Sequence, residues 1–206
     1  MTQRVFVDAN VLFSRTLRDW LFQLRNAAPE MFQLHSTEDV LAETLYRLRR
    51  KNPAWDGGQI TRLRESLVEN LDEILTDFDA TVAYDGSDPN DRHVHAAAVS
   101  CSADILLTDD TGFVSLEDAD RLPYEVQSAD EFFVLIDNSA ASYVQRVTDS
   151  QRRYWASSKS AGSRGLAEAL VASGCPEFAK RVTIHLRTLS GPTAGGPKVR
   201  RPRTKK

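Results

Sequence analysis

Five carboxylates stand at places where they could act together on a substrate: Asp8, Glu43, Asp91, Asp109 and Asp110. Asp8 ends the apolar run Arg4-Val5-Phe6-Val7, and Asp109-Asp110 end Asp104-Ile105-Leu106-Leu107-Thr108. Asp91 lies in the stretch Asp88-Pro89-Asn90-Asp91-Arg92-His93, and Glu43 in a leucine-rich segment. Carboxylates brought to one point repel, and all stay ionised only with a cation among them. Oxygen donors without Cys or His suit Mg²⁺ or Mn²⁺. One or two such ions on a phosphodiester lower the pKa of a water and stabilise the leaving oxygen. That is hydrolytic chemistry with no need of a protein nucleophile.

Convergence requires a scaffold, and the pattern supplies one. Arg4–Val7, Met31–Leu34, Ala80–Tyr84, Asp104–Thr108 and Glu125–Gln127 read as strands, the first a run apolar enough to be buried on both faces. Helices are expected between them. One runs from the Asp8–Ser14 turn through Leu17, Trp20, Leu21 and Leu24. Another is capped by Ser36, with Leu41, Leu45 and Leu48 on its core stripe. A third spans Ile60–Ile74. Asp88 before Pro89 is a helix start, with Asp91 at the third helical position and Ala96-Ala97-Ala98 for close packing. Ser128-Ala129-Asp130-Glu131 is a capping box opening a helix through Phe132, Leu135 and Ile136. Alternating strands and helices from residue 4 to about 138 predict a three-layer α/β domain with a central parallel sheet, whose sites form at the strands' carboxyl ends.

Strand signals stop near Ala140. Tyr143, Val147, Tyr154 and Trp155 suggest one helix, Leu166–Ala172 a second and Phe178–Leu189 a third, with Gly174-Cys175-Pro176 as a break. The expected division is therefore a domain over 1–138, a C-terminal α-helical extension over 139–190, and a basic, disordered tail over 191–206.

The chain carries 26 basic and 29 acidic residues, a net charge of -3. Six of the basic ones and no acid lie in the last nine positions, so the rest is an acidic body. Basic blocks of this kind bind nucleic acid or are merely solvated. Two distant cysteines, Cys101 and Cys175, make neither a disulfide framework nor a CxxC metal pair. No run suits a signal peptide, and none approaches the ~18 apolar residues of a membrane span, so a cytoplasmic, membrane-free setting is expected.

With these residues in view, the chain resembles a PIN-domain protein, in particular a VapC-type ribonuclease toxin of a toxin–antitoxin pair. The motifs are Val5-Phe6-Val7-Asp8-Ala9-Asn10-Val11-Leu12, Glu43 in its leucine-rich helix, Asp88-Pro89-Asn90-Asp91-Arg92-His93, and Leu106-Leu107-Thr108-Asp109-Asp110-Thr111-Gly112-Phe113. Each is weak alone; four in order are fairly specific. The resemblance implies a metal-dependent endoribonuclease using Mg²⁺ or Mn²⁺, with Asp8, Glu43, Asp91 and one of Asp109 and Asp110 as metal ligands. The family frame (Thr, a variable residue, Asp or Asn, and Phe three further on) favours Asp110 as the fourth catalytic acid, with Asp109 the alternative. It also implies an RNA substrate and a cognate antitoxin protein, and a homodimer is common for the family. The extension resembles one found on a subset of these toxins.

Structural roles compete for the same residues. Asp8 is also a turn cap, and Glu43 an exposed ion pair with Arg47 four residues on, worth a few tenths of a kcal/mol. Asn10 and Ser14 either orient Asp8 or cap helices. Arg92 and His93 could meet a phosphate, whereas His93 and His95, two apart on a helix, lack zinc spacing. A non-catalytic nucleic-acid binder using tail and extension is the alternative function. A phospho-acceptor domain ranks below it, because Asp8 stands without an early acidic neighbour.

Overall fold

A computed structural model describes residues 2–84, 91–114, 122–157 and 165–190. Its centre is a five-stranded sheet in the order β3-β2-β1-β4-β5, comprising β1 (Gln3–Val7), β2 (Phe32–Thr37), β3 (Glu73–Leu75), β4 (Ile105–Leu107) and β5 (Glu125–Gln127). Every pairing is parallel. Chain order reverses between β1 and β4, which makes their carboxyl ends the topological switch point where α/β sheets bind ligands. Val5, Phe6, Val7, Ile105, Leu106 and Leu107 are all buried. Their unbroken apolar runs are what a central parallel strand covered on both faces requires.

The helices are α1 (Ala9–Phe13), α2 (Arg15–Ala27), α3 (Glu38–Lys51), α4 (Gly57–Asn70), α5 (Arg92–Ser100), α6 (Thr111–Val114), α7 (Ala129–Ser157), α8 (Leu166–Ala172) and α9 (Pro176–Leu189). The architecture is the expected three-layer α/β domain followed by C-terminal helices. Among the described residues no helix is long and apolar enough to cross a membrane.

Several local expectations are corrected. The third strand is Glu73–Leu75, paired with β2, and Ala80–Tyr84 form no strand. Ile74 continues the helical spacing of Leu63, Leu67 and Leu71, so periodicity ran through a helix that ends at Asn70. The first helix is broken at Ser14, which closes α1 and caps α2 by accepting from Leu17 N. Thr37, not Ser36, caps α3 through Val40 N, while Ser36 Oγ donates to the Val7 carbonyl and ties β2 to β1. Helix α5 begins at Arg92 with Asp91 at its cap position; the expected cap Asp88 lies outside the described residues. The Ser128–Glu131 capping box is present, with Ser128 N and Oγ donating to Glu131 and Glu131 N donating to Ser128 Oγ.

Near the expected domain boundary, α7 consists of two helical stretches that meet at a non-helical residue. They join at Ala140 (φ -152°, ψ 51°), and the second runs to Ser157. Helices α8 and α9 fold back onto α2 and α7, and Leu170, Cys175, Phe178 and Val182 join the same apolar core as the sheet. Both thiols are buried, and desolvation pushes Cys101 up to about 11 and Cys175 higher still, so neither is a reactive group.

Candidate acidic site at the sheet switch point

Asp8 leaves β1 in an extended conformation and is 8% exposed. Its carboxylate is held on both oxygens. Oδ1 accepts from Ala9 N at 2.6 Å. Oδ2 accepts from Thr108 Oγ1 at 2.7 Å and from Asn10 Nδ2 at 2.8 Å. Burial pushes Asp8 above the ordinary carboxylate range; Thr108 and Ala9 pull it back, and the charges of Glu43 and Asp110 add to the rise. Glu43 and Asp110 are thus electrostatic neighbours of Asp8, carried there by α3 and by the loop after β4.

Thr108 was not anticipated as a participant, and it is the hub. Besides donating to Asp8, its Oγ1 accepts from Asn10 Nδ2 at 2.9 Å and from Asp110 N at 3.0 Å. One hydroxyl therefore sets the rotamer of Asp8 and the backbone path of Asp110. Asn10 completes the frame, its Oδ1 accepting from Asp109 N at 3.1 Å. Helix capping falls to Asp8 and Ser14 and leaves Asn10 for this orienting role.

The adjacent acids point to different tasks. Asp109 Oδ1 accepts from Ala129 N at 3.0 Å and so covers the first turn of α7. Desolvation raises its pKa, and the charges of Asp130 and Glu131 add to the rise. Asp110 folds over its own loop, Oδ1 accepting from Gly112 N at 2.7 Å. A methyl group built on Gly112 would stand 3.0 Å from Asp110 Oδ1 and 3.2 Å from Asp91 Oδ2. Glycine here is what lets these two carboxylates approach across a bare backbone. Asp91 makes no cap hydrogen bond to α5, and Tyr84 Oη donates to its Oδ2 at 3.4 Å. Tyr84 was also missed, since nothing in its local pattern marks it. Its ring lies against His95 and Phe113, and His95 Nδ1 meets Tyr124 Oη at 2.7 Å. His95 is thereby a buried support for the Asp91 side of the site.

Glu43 is exposed and pairs with Arg47 at 3.3 Å, so the structural role weighed for it is present together with its proximity to Asp8. Arg92 is exposed beside Asp91. Among the described residues no three His, Cys, Asp or Glu side chains are grouped tightly enough to hold an ion unaided. The donor chemistry nevertheless fits a hard divalent cation. Asp8, Glu43, Asp91 and Asp110 offer only oxygens, and a cation would relieve the charge that buried Asp8 meets from its neighbours.

Thr108→Val keeps the shape and removes the donor. It is expected to cost about 1–3 kcal/mol of stability, because a buried carboxylate loses its partner. Cation affinity is expected to fall about 10–100-fold, as when an orienting group behind a ligand is lost. Urea unfolding and Mn²⁺ calorimetry read the two effects separately.

No curated protein matches the chain. The PIN-domain family model matches residues 4–112, which takes in the strands from β1 to β4 and Asp8, Glu43, Asp91, Asp109 and Asp110. It stops short of β5 and the C-terminal helices, whereas the resemblance was traced to about 138. That match covers more than half of the 206 residues, so the chain belongs to the PIN-domain family, whose members are typically nucleases.

Proposed function

We propose that the chain is a Mg²⁺- or Mn²⁺-dependent endoribonuclease acting as the toxin of a toxin–antitoxin pair. What supports the reading is that Asp8 feels the charges of Glu43 and Asp110, and that Asp110 and Asp91 both lie close to Gly112, at the β1–β4 switch point. These four would hold the cation. When bound, it neutralises charge developing on the phosphodiester and acidifies a water. The protein's own part is positioning. Thr108 and Asn10 fix Asp8, the Gly112 amide fixes Asp110, and Tyr84 steadies Asp91. Asp109 is reserved for α7. A cytoplasmic location, a cognate antitoxin that blocks the acidic site and a homodimer belong to the same proposal.

The test is a titration of Mn²⁺ or Mg²⁺ into wild type and an Asp8→Asn/Asp91→Asn double variant, with total-RNA cleavage in parallel. Cation binding stabilises the wild type by about 2.7 kcal/mol at a hundredfold excess over Kd. The double variant loses that gain and the discrete RNA fragments together. Cleavage that survives in the double variant overturns the assignment. Neither ion binding nor cleavage in clean wild type moves the reading to a non-catalytic binder.

A further inference from the structure

Beside the acids lies a second feature that the metal chemistry does not use. A cleft of about 790 Å³ opens between α1 and the start of α2 on one side and the end of α7 with α8 on the other. Asn10, which holds Asp8, stands at its edge; Arg15, Lys51, Trp155 and Ser173 are among its lining. The walls thus combine two cations, an indole and small polar groups. Asp109, the acid already engaged with Ala129 N of α7, lines it too, whereas Asp8, Glu43, Asp91 and Asp110 are not among its lining.

The cations are organised. Glu43, Arg47 and Lys51 follow one another at four-residue steps on α3, so they lie along one face about 6 Å apart per step. Arg47 and Lys51 both sit over the Phe13 ring, at 5.7 and 4.9 Å from its centroid. The ring restrains two otherwise flexible chains and sets their charges in a line that starts at Glu43 and ends in the cleft. Arg15, at the start of α2, adds a further cation to the lining, braced by Tyr154 Oη at 3.2 Å and by Asp19 at 3.6 Å. Trp155 packs partly on the core, which fixes its ring while a part of it faces the cleft. A line of cations leading to an aromatic platform is how single strands are bound without base pairing.

We propose that this cleft is a subsite for single-stranded RNA, in which Arg47, Lys51 and Arg15 take successive phosphates leaving the acidic site and Trp155 stacks one base. The C-terminal helices are then part of the substrate site. This rests on the nuclease reading, because it places the strand between the acids and the extension. It also explains how an acidic body can hold a polyanion: the basic track lies next to the acids it must offset.

The experiment measures binding of a labelled single-stranded oligoadenylate to the full chain in EDTA, and cleavage in Mn²⁺, for wild type, Arg15→Gln/Lys51→Gln, Trp155→Leu and Trp155→Phe. Losing two phosphate contacts should lower the slope of log Kd against log salt by about 1.4, at ~0.7 per phosphate on a single strand. Trp155→Leu keeps apolar bulk but no stacking face and should weaken binding roughly 5–150-fold, whereas Trp155→Phe retains most of it. Thermal melts of all variants separate loss of the subsite from loss of the fold. Weakened binding in the cleft variants supports the subsite, and if wild type then cleaves no RNA, it is the nuclease reading alone that fails. Wild-type binding and salt slope in folded cleft variants overturn the subsite, and cleavage by those same variants leaves the nuclease reading standing.

Discussion

Asp91→Asn and Asp110→Asn are each expected to lower RNA cleavage by about a hundred- to a thousandfold, whereas Asp109→Ala is expected to leave cleavage intact and to lower stability. Asparagine preserves side-chain shape and removes the charge. The loss is therefore of cation binding and of the several kcal/mol of charge stabilisation a bound ion supplies, at tenfold per 1.36 kcal/mol. The contrast with Asp109 comes from geometry. Asp110 meets Asp91 across Gly112, while Asp109 is engaged with Ala129 N at the start of α7. Removing a side chain that caps a helix costs about 0.5–2 kcal/mol. Single-turnover cleavage in Mn²⁺ and a urea titration on the three variants check the set. Cleavage lost in Asp109→Ala and kept in Asp110→Asn would exchange the roles of the two acids.

Phe178→Ala is expected to cost about 3–5 kcal/mol, the range for deleting a fully buried aromatic side chain. Phe178 is wholly buried, edge-on to Trp20 of α2 at 5.0 Å and beside Phe133 of α7 at 5.1 Å. It stands in the first turn of α9, whose N-terminus has no capping side chain of its own. Asp130 of α7 supplies the cap from outside, accepting from Phe178 N at 2.8 Å and Glu177 N at 3.1 Å. Further along, buried Asp137 meets His185 at 2.6 Å and Arg181 at 3.3 Å. The Phe133 contact, the cap and the Asp137 contacts all join α7 to α9, Trp20 ties α9 to α2, and their loss is cooperative. Phe178→Ala should therefore lower Tm and raise proteolysis of the extension. Because α8 forms one wall of the cleft, binding of single strands should weaken with it. A variant with unchanged Tm would show that α9 contributes little to the fold.

How much of this was legible in the sequence follows from the range of each interaction. The β1 and β4 strands, the Ser128 capping box, α8 and the order of the acids rest on contacts within a few residues or on runs of one hydropathy. These leave local signatures. Glu73–Leu75 was hidden because three residues are too few to show a period of two, and Ile74 happened to extend a helical stripe. Ser36 was preferred to Thr37 as a cap because nothing local says that its hydroxyl is already committed to β1.

The site itself divides along the same line. The sequence determined that oxygen donors of one charge recur at element boundaries, and that they follow apolar runs suited to a buried parallel sheet. Which of them meet was decided by tertiary structure alone. Thr108 reaches Asp8 across a separation of 100 residues, and only the parallel β1–β4 register brings the two strand ends together. The same register directs Asp110 toward Asp91, while the start of α7 draws Asp109 away. The return of α8 past the acids, which opens a cleft beside them, depends on Phe178 finding Trp20 and Phe133. Composition announces the charge, but a side chain's task depends on which distant groups satisfy its oxygens first.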